Sequence, residues 1–170
     1  MLAYPTPEIR WQYDRLIAEV MEQIAGLGRL LGPRLRCRPG CSVCCRPFSV
    51  FALEAALIAA RMAKLTANQA QPSTPEPDVC VFLHNGLCRI YAIRPLICRS
   101  QGLPLAYADI ERQCLEVSAC LINFPEGTEF AMEELLFLDA VNRRLAALNI
   151  EYCRQHRLDA GRRLPLTETL

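Results

Sequence analysis

The chain has 170 residues, a net charge of +1, 52% hydrophobic residues and ten cysteines. An apolar, nearly neutral composition excludes a disordered chain, and the absence of a basic excess argues against phosphate-backbone binding, so nucleic acid is not an expected partner. A domain of this length can bury roughly 70% of its unfolded surface without covalent staples, so the cysteines need another explanation.

The first eight residues, MLAYPTPE, show no basic n-region, apolar h-region or small-residue cleavage site, so no secretory signal is expected there. The longest apolar run, around Val50 to Ala60, is split by Glu54 and closed by Arg61. It falls short of the about 20 apolar residues that a bilayer span takes, and no membrane partner is expected. The expected location is cytoplasmic, where thiols stay reduced and dense cysteines read as metal-binding or redox groups.

In chain order, Ile9, Tyr13, Leu16, Val20, Ile24, Leu27 and Leu31 recur at helical steps and predict a helix over 8–31, opened near Pro7 and stopped by Gly32-Pro33. A second helix is expected over about 49–65, where Ala, Leu, Glu, Met and Arg dominate. Residues 66–78, TANQAQPSTPEPD, read as an exposed loop. A short helix is expected to open at Arg94-Pro95 and another to cover Asp109 to Leu121. A last helix is expected over 128–158, capped by Thr128, with Leu138, Val141, Leu145, Leu148 and Tyr152 forming its seam. The terminal helices are expected to pack on each other or to bracket the middle. No internal repeat and no alternating strand beyond a few residues near Val79 to Leu83 is evident. The expected fold class is therefore mainly α: one small helical domain over residues 1–170, with irregular cysteine-rich loops of a 37–120 core wrapped around a metal site.

The cysteines carry the chemistry. Cys37-x3-Cys41-x2-Cys44-Cys45 is followed by Cys80-x7-Cys88-x9-Cys98 and then by Cys114. Pro39-Gly40 supplies a tight turn inside the first run. Soft thiolates select zinc, Cu(I) and iron–sulfur centres over hard cations. Cys44 and Cys45 are neighbours whose side chains diverge, so they serve different centres or one stands behind the other.

The run C-x3-C-x2-C-C, followed by C-x7-C-x-I-Y-x-x-R-P-x-x-C-R, resembles the YkgJ-type cysteine-cluster proteins, a family associated with zinc or iron chelation. Cys37, Cys41, Cys44, Cys45, Cys80, Cys88, Tyr91, Arg94, Pro95, Cys98 and Arg99 carry the resemblance, and Cys114 is taken as an eighth ligand. Related domains in flagellin lysine methylases make a methylation-associated role relevant.

The expected ligands are thus Cys37, Cys41, Cys44, Cys45, Cys80, Cys88, Cys98 and Cys114. Arg94 and Arg99 are expected to favour the Cys98 thiolate and to bind the cofactor, together with the first turn of the short helix. The cofactor is an iron–sulfur cluster or zinc. Eight thiolates divide into two tetrahedral zinc sites, whereas a close triad with a remote fourth cysteine suits a four-iron cluster. A metal-free regulatory dithiol remains a third reading. The triad spacing is also that of radical SAM clusters, but the length and helical periodicity do not supply that fold. Cys120 and Cys153 read as apolar filler, and His84 as an exposed residue near Asn85-Gly86. No hydrolase, metalloprotease or nucleotide motif is present, so any activity must reside in the metal centre. Three roles follow: a redox or methylation-associated cluster protein, a metal-handling protein, or a structural zinc module that presents a helix face to a partner protein.

Overall fold

The computed structural model describes residues 2–64 and 78–169. Its backbone is α1 (Pro7–Leu31), α2 (Ala52–Met62), α3 (Leu96–Ser100) and α4 (Asp139–His156). Seven short strands join them: β1 (Ser49–Val50), β2 (Leu83–His84), β3 (Leu87–Cys88), β4 (Leu105–Asp109), β5 (Cys114–Ser118), β6 (Leu136–Phe137) and β7 (Leu164–Pro165). Antiparallel pairs β1–β7 and β2–β3 are separate from a three-stranded sheet of order β5-β4-β6, in which β6 runs parallel to β4. The mainly α expectation is thus corrected to mixed helix and small sheets.

α1 matches the predicted helix closely. Thr6 caps it by accepting the Ile9 N–H, and Ile9, Tyr13, Leu16, Val20, Leu27 and Leu31 are buried on one side. That stripe packs along α4, whose Val141, Leu145 and Tyr152 are buried, and a Glu19–Arg144 ion pair at 2.6 Å joins their outer edges. α2 is buried along most of its length, its small Ala55 and Ala56 lying in the same core. Asn149 of α4 is fully buried, accepts the Leu53 N–H at 3.1 Å and donates to the Ala160 carbonyl at 3.2 Å.

Three boundaries differ from expectation, each through a contact distant in sequence. Ser49 and Val50 do not join the second helix because they pair with Pro165 and Leu164. The helix expected over Asp109 to Leu121 is instead the β4–β5 hairpin, with Leu105 opposite Ser118 and Asp109 opposite Cys114. Gln113 supplies the left-handed residue of its turn, with φ 53°. The last helix starts eleven residues later than predicted: Thr128 donates to the Pro125 carbonyl rather than capping a helix, and Leu136 and Phe137 first pair with Leu105 and Ala106. Arg34, just beyond α1, pairs with Glu134 and lies over the rings of Phe124 and Phe130, which pins this segment to the end of α1. The expected loop at 66–78 lies outside the described residues apart from Asp78.

Candidate metal centre

The first cysteine run is a chain of turns. Pro39 and Gly40 occupy the centre of a turn closed by Cys41 N–H to the Arg38 carbonyl at 2.9 Å, with Gly40 at φ 92°, a conformation that suits glycine. A second turn closes from Cys45 N–H to the Ser42 carbonyl at 2.8 Å. The chain then enters β1, which β7 holds in place, and the Leu166 N–H bonds the Phe48 carbonyl at 3.1 Å.

The second run is a hairpin followed by a short helix. Asn85 and Gly86 both have positive φ, 49° and 74°, as a two-residue hairpin turn requires, and Leu83 pairs with Cys88 across it. His84 is exposed, as expected. The two runs are sewn together directly: the Cys80 N–H donates to the Cys45 carbonyl at 3.0 Å. Gly86 also lies against Gly40, so the two glycine turns touch. Pro95 opens α3, whose first turn holds Cys98 with its N–H on the Pro95 carbonyl at 3.0 Å.

These elements enclose a cavity of about 520 Å³ lined by Cys37, Cys41, Cys44, Cys45, Cys80, Cys88 and Cys98, with Arg38, Arg46, Tyr91, Arg94 and Leu166 among its other walls. Seven of the eight predicted ligands therefore share one space. Residues 36–116 match the CxxCxxCC family, described as "Putative zinc- or iron-chelating domain". The match covers both cysteine runs and agrees with the resemblance seen in the sequence. No curated protein and no solved structure matches the chain.

Within the CxxCxxCC segment, burial and the charges of neighbouring sulfurs act together on several of the thiols. Burial, then the charges of Cys44, Cys88 and Cys80, pushes the Cys45 thiol up to about 11. Burial, then the charges of Cys80, Cys88 and Cys45, pushes Cys98 up to about 12. Cys44, Cys80 and Cys88 are raised as well, chiefly by burial. This corrects the expectation that Arg94, Arg99 and the helix start would favour the Cys98 thiolate: desolvation and neighbouring sulfurs outweigh them. Arg94 does line the cavity, with its guanidinium 3.6 Å from the Tyr91 ring centroid. Arg99 does not line it; its Nε donates to the Arg94 carbonyl at 2.6 Å and its Nη2 to the Ala92 carbonyl at 3.0 Å, so it shapes the loop before α3.

The donor set fits a soft metal, because seven thiols and no carboxylate line the cavity. Arg89, next to Cys88 in sequence, keeps Nη1 buried with no hydrogen-bond partner among the described residues. Among the described residues, no three Cys, His, Asp or Glu side chains are already drawn together to hold an ion.

Cys114 stands apart: it is exposed, opens β5 opposite Asp109 and lines no part of this cavity. Cys153 is buried in the core, as expected of apolar filler. Cys120, also read as filler, instead lines a second cavity together with Cys44. Asn123 and Gly102, absent from the sequence reading, contact Cys37: Asn123 Nδ2 lies 3.3 Å from its sulfur, and a Cβ added at Gly102 would lie 2.7 Å from it. The CRSQGLP run offers a glycine as a signal for the latter, whereas nothing local marks Asn123.

Proposed function

We propose that this protein holds an iron–sulfur cluster through the thiols of the 520 Å³ cavity and serves a redox or methylation-associated step. The observation that carries this reading is the shared cavity itself, lined by seven cysteines from residues 37–45 and 80–98. Seven lining thiols exceed the four that one tetrahedral zinc ion takes, which favours a larger inorganic unit or more than one ion. When bound, a cluster supplies one-electron transfer. The chain's own part is to donate thiolates, to keep water from most of them, and to set Arg94 and Tyr91 at the cavity wall, where the exposed Tyr91 gives a route to a partner. Because the thiols are raised, metal must displace protons to bind.

Closed structural zinc is the competing reading, supported by the depth of Cys80, which is 7% exposed. It would leave the chain a scaffold that presents a helix face, such as the exposed Trp11 on α1, to another protein. Anaerobic purification with metal and sulfide analysis and a visible spectrum decides between them. A brown protein with near-equal iron and sulfide supports the cluster; a colourless protein with zinc retained against chelator replaces it with the scaffold reading.

A further inference from the structure

We propose that the second cavity, of about 810 Å³, is a binding site for a small organic carboxylate with an apolar body. The binding goes beyond the metal reading above and does not depend on it; only the site's position beside a metal centre rests on that reading.

The lining is apolar. Leu96, Leu103, Leu105, Leu138 and Leu145, all buried side chains, come to this space from α3, β4, α4 and the segments that join them. A volume of this order falls within the roughly 300–1,000 Å³ of pockets that hold small organic molecules, and an apolar body pressed against the leucines supplies the driving force.

The polar groups on the wall choose the charge of the ligand. Two carboxyls and two guanidiniums line the cavity, and they differ in what they already hold. Glu54 accepts the Leu96 N–H at 2.8 Å, and Asp139 Oδ2 accepts the Ala108 N–H at 2.9 Å, so both acids are committed to backbone. Arg143 follows Asp139 by one turn of α4, the spacing at which an acid and a base pair, yet that carboxylate turns to β4 instead. Among the described residues, neither Arg143 nor Arg163 enters an ion pair. The Arg163 guanidinium lies 4.1 Å from the Phe51 ring centroid and its Nη2 donates to the Ser49 carbonyl at 2.8 Å, contacts that fix the group while using few of its donors. A guanidinium fork takes a carboxylate through paired, charge-assisted hydrogen bonds, so this wall selects an acid over an amine.

The site adjoins the cysteines. Cys44 and Gln101 line both cavities, and Gly102, on the wall of the larger one, lies so close to Cys37 that an added Cβ would stand 2.7 Å from its sulfur. A ligand in the larger space thus shares a wall with the thiols.

The test titrates the full chain as purified, by calorimetry, with hexanoate, phenylacetate and cinnamate, each against its neutral amide, and with hexylamine as the cationic control. At least one acid should saturate a single site, with its amide weaker by about tenfold, the loss that follows removal of charged hydrogen bonds. Arg143→Gln should weaken that acid by a similar factor and leave the amide unchanged. Ala146→Phe, which adds a ring to the cavity wall, should abolish binding of both. Arg143 is exposed, so its variant decides the matter whether or not Ala146→Phe folds. Equal binding of acid and amide, a preference for hexylamine, or an Arg143→Gln chain that binds the acid as the native chain does would overturn the proposal. So would a folded Ala146→Phe chain that still binds, or no saturable binding of any acid up to about 10 mM. Metal content measured on the same samples keeps the two readings apart: a chain without metal that binds the acid overturns the function proposed above alone, and a metal-bearing chain that binds no acid overturns this inference alone.

Discussion

Glu54 Oε1 accepts the Leu96 backbone N–H at 2.8 Å, so a carboxyl on α2 holds the start of the helix that carries Cys98. The residue is 2% exposed, and burial raises its proton affinity against the opposing effects of the Leu96 bond and of Arg163. A carboxyl whose folded pKa lies above the unfolded value of about 4.3 stabilises the fold fully below that pH and loses the contribution as pH rises through the folded value. Glu54→Gln keeps an acceptor and removes the titration. The difference in melting temperature, variant minus native, should therefore climb between pH 4 and pH 7. A difference that stays constant with pH counts against a raised Glu54.

Gly102 sits at φ 93°, and a Cβ there would lie 2.7 Å from Cys37 Sγ. Gly102→Ala should cost about 1–3 kcal/mol in backbone strain and push the sulfur aside, so metal retention should fall as well. Gly127→Ala is the control, since Gly127 has φ 79° with nothing within 4 Å of the added carbon. Denaturant unfolding should show a loss in both variants, whereas a chelator competition should show a loss in the first alone. Equal metal retention in the two would refute the steric role.

Uptake of metal should strengthen with pH. Cys45 and Cys98 are raised to about 11 and about 12, and Cys80 and Cys88 are raised too, so all four are protonated at pH 7 and each must lose a proton to coordinate. Affinity then rises toward about four powers of ten per pH unit when four protons leave with each ion. Zinc titrations at pH 6, 7 and 8 measure the slope. A flat profile would mean that the sulfurs are already thiolates.

Demetallation should loosen the middle and spare the helical frame. The loops over 34–47 present mostly turns and half-exposed residues, whereas α1 and α4 share the apolar core. Hydrogen exchange after chelation should speed up over 34–48 and 80–100 and stay slow over Leu16, Val20, Leu145 and Tyr152. Unchanged protection across 34–100 would separate the fold of this region from its metal.

The parts of the molecule that were legible in the sequence are those fixed by near neighbours. α1 has a helical apolar stripe, a capping Thr6 and a Gly32-Pro33 stop, and its limits in the structure fall within a residue of the reading. The cysteine spacing and the Pro39-Gly40 turn likewise pointed to one convergent site. What escaped depends on distant partners. Leu115 and Val117 alternate with polar residues, yet β5 remains exposed along its length, so no buried face disclosed the hairpin. Glu133 and Glu134 resembled a helix start after Thr128, but β4 captures Leu136 and Phe137 first. Asn123 gave no sign in the sequence because its contact with Cys37 joins residues far apart along the chain.

Leu166 forms part of the cavity wall and bonds Phe48, while its neighbours in β7 pair with Ser49 and Val50. A ribosome delivers Cys37 through Cys45 long before it delivers residue 166. The nascent polypeptide thus displays these sulfurs before the later-made segment that walls their cavity exists. Completion of the site accordingly waits for residues 164–166, and cuts placed near residue 164 would disturb a cavity built mostly from residues 37–98.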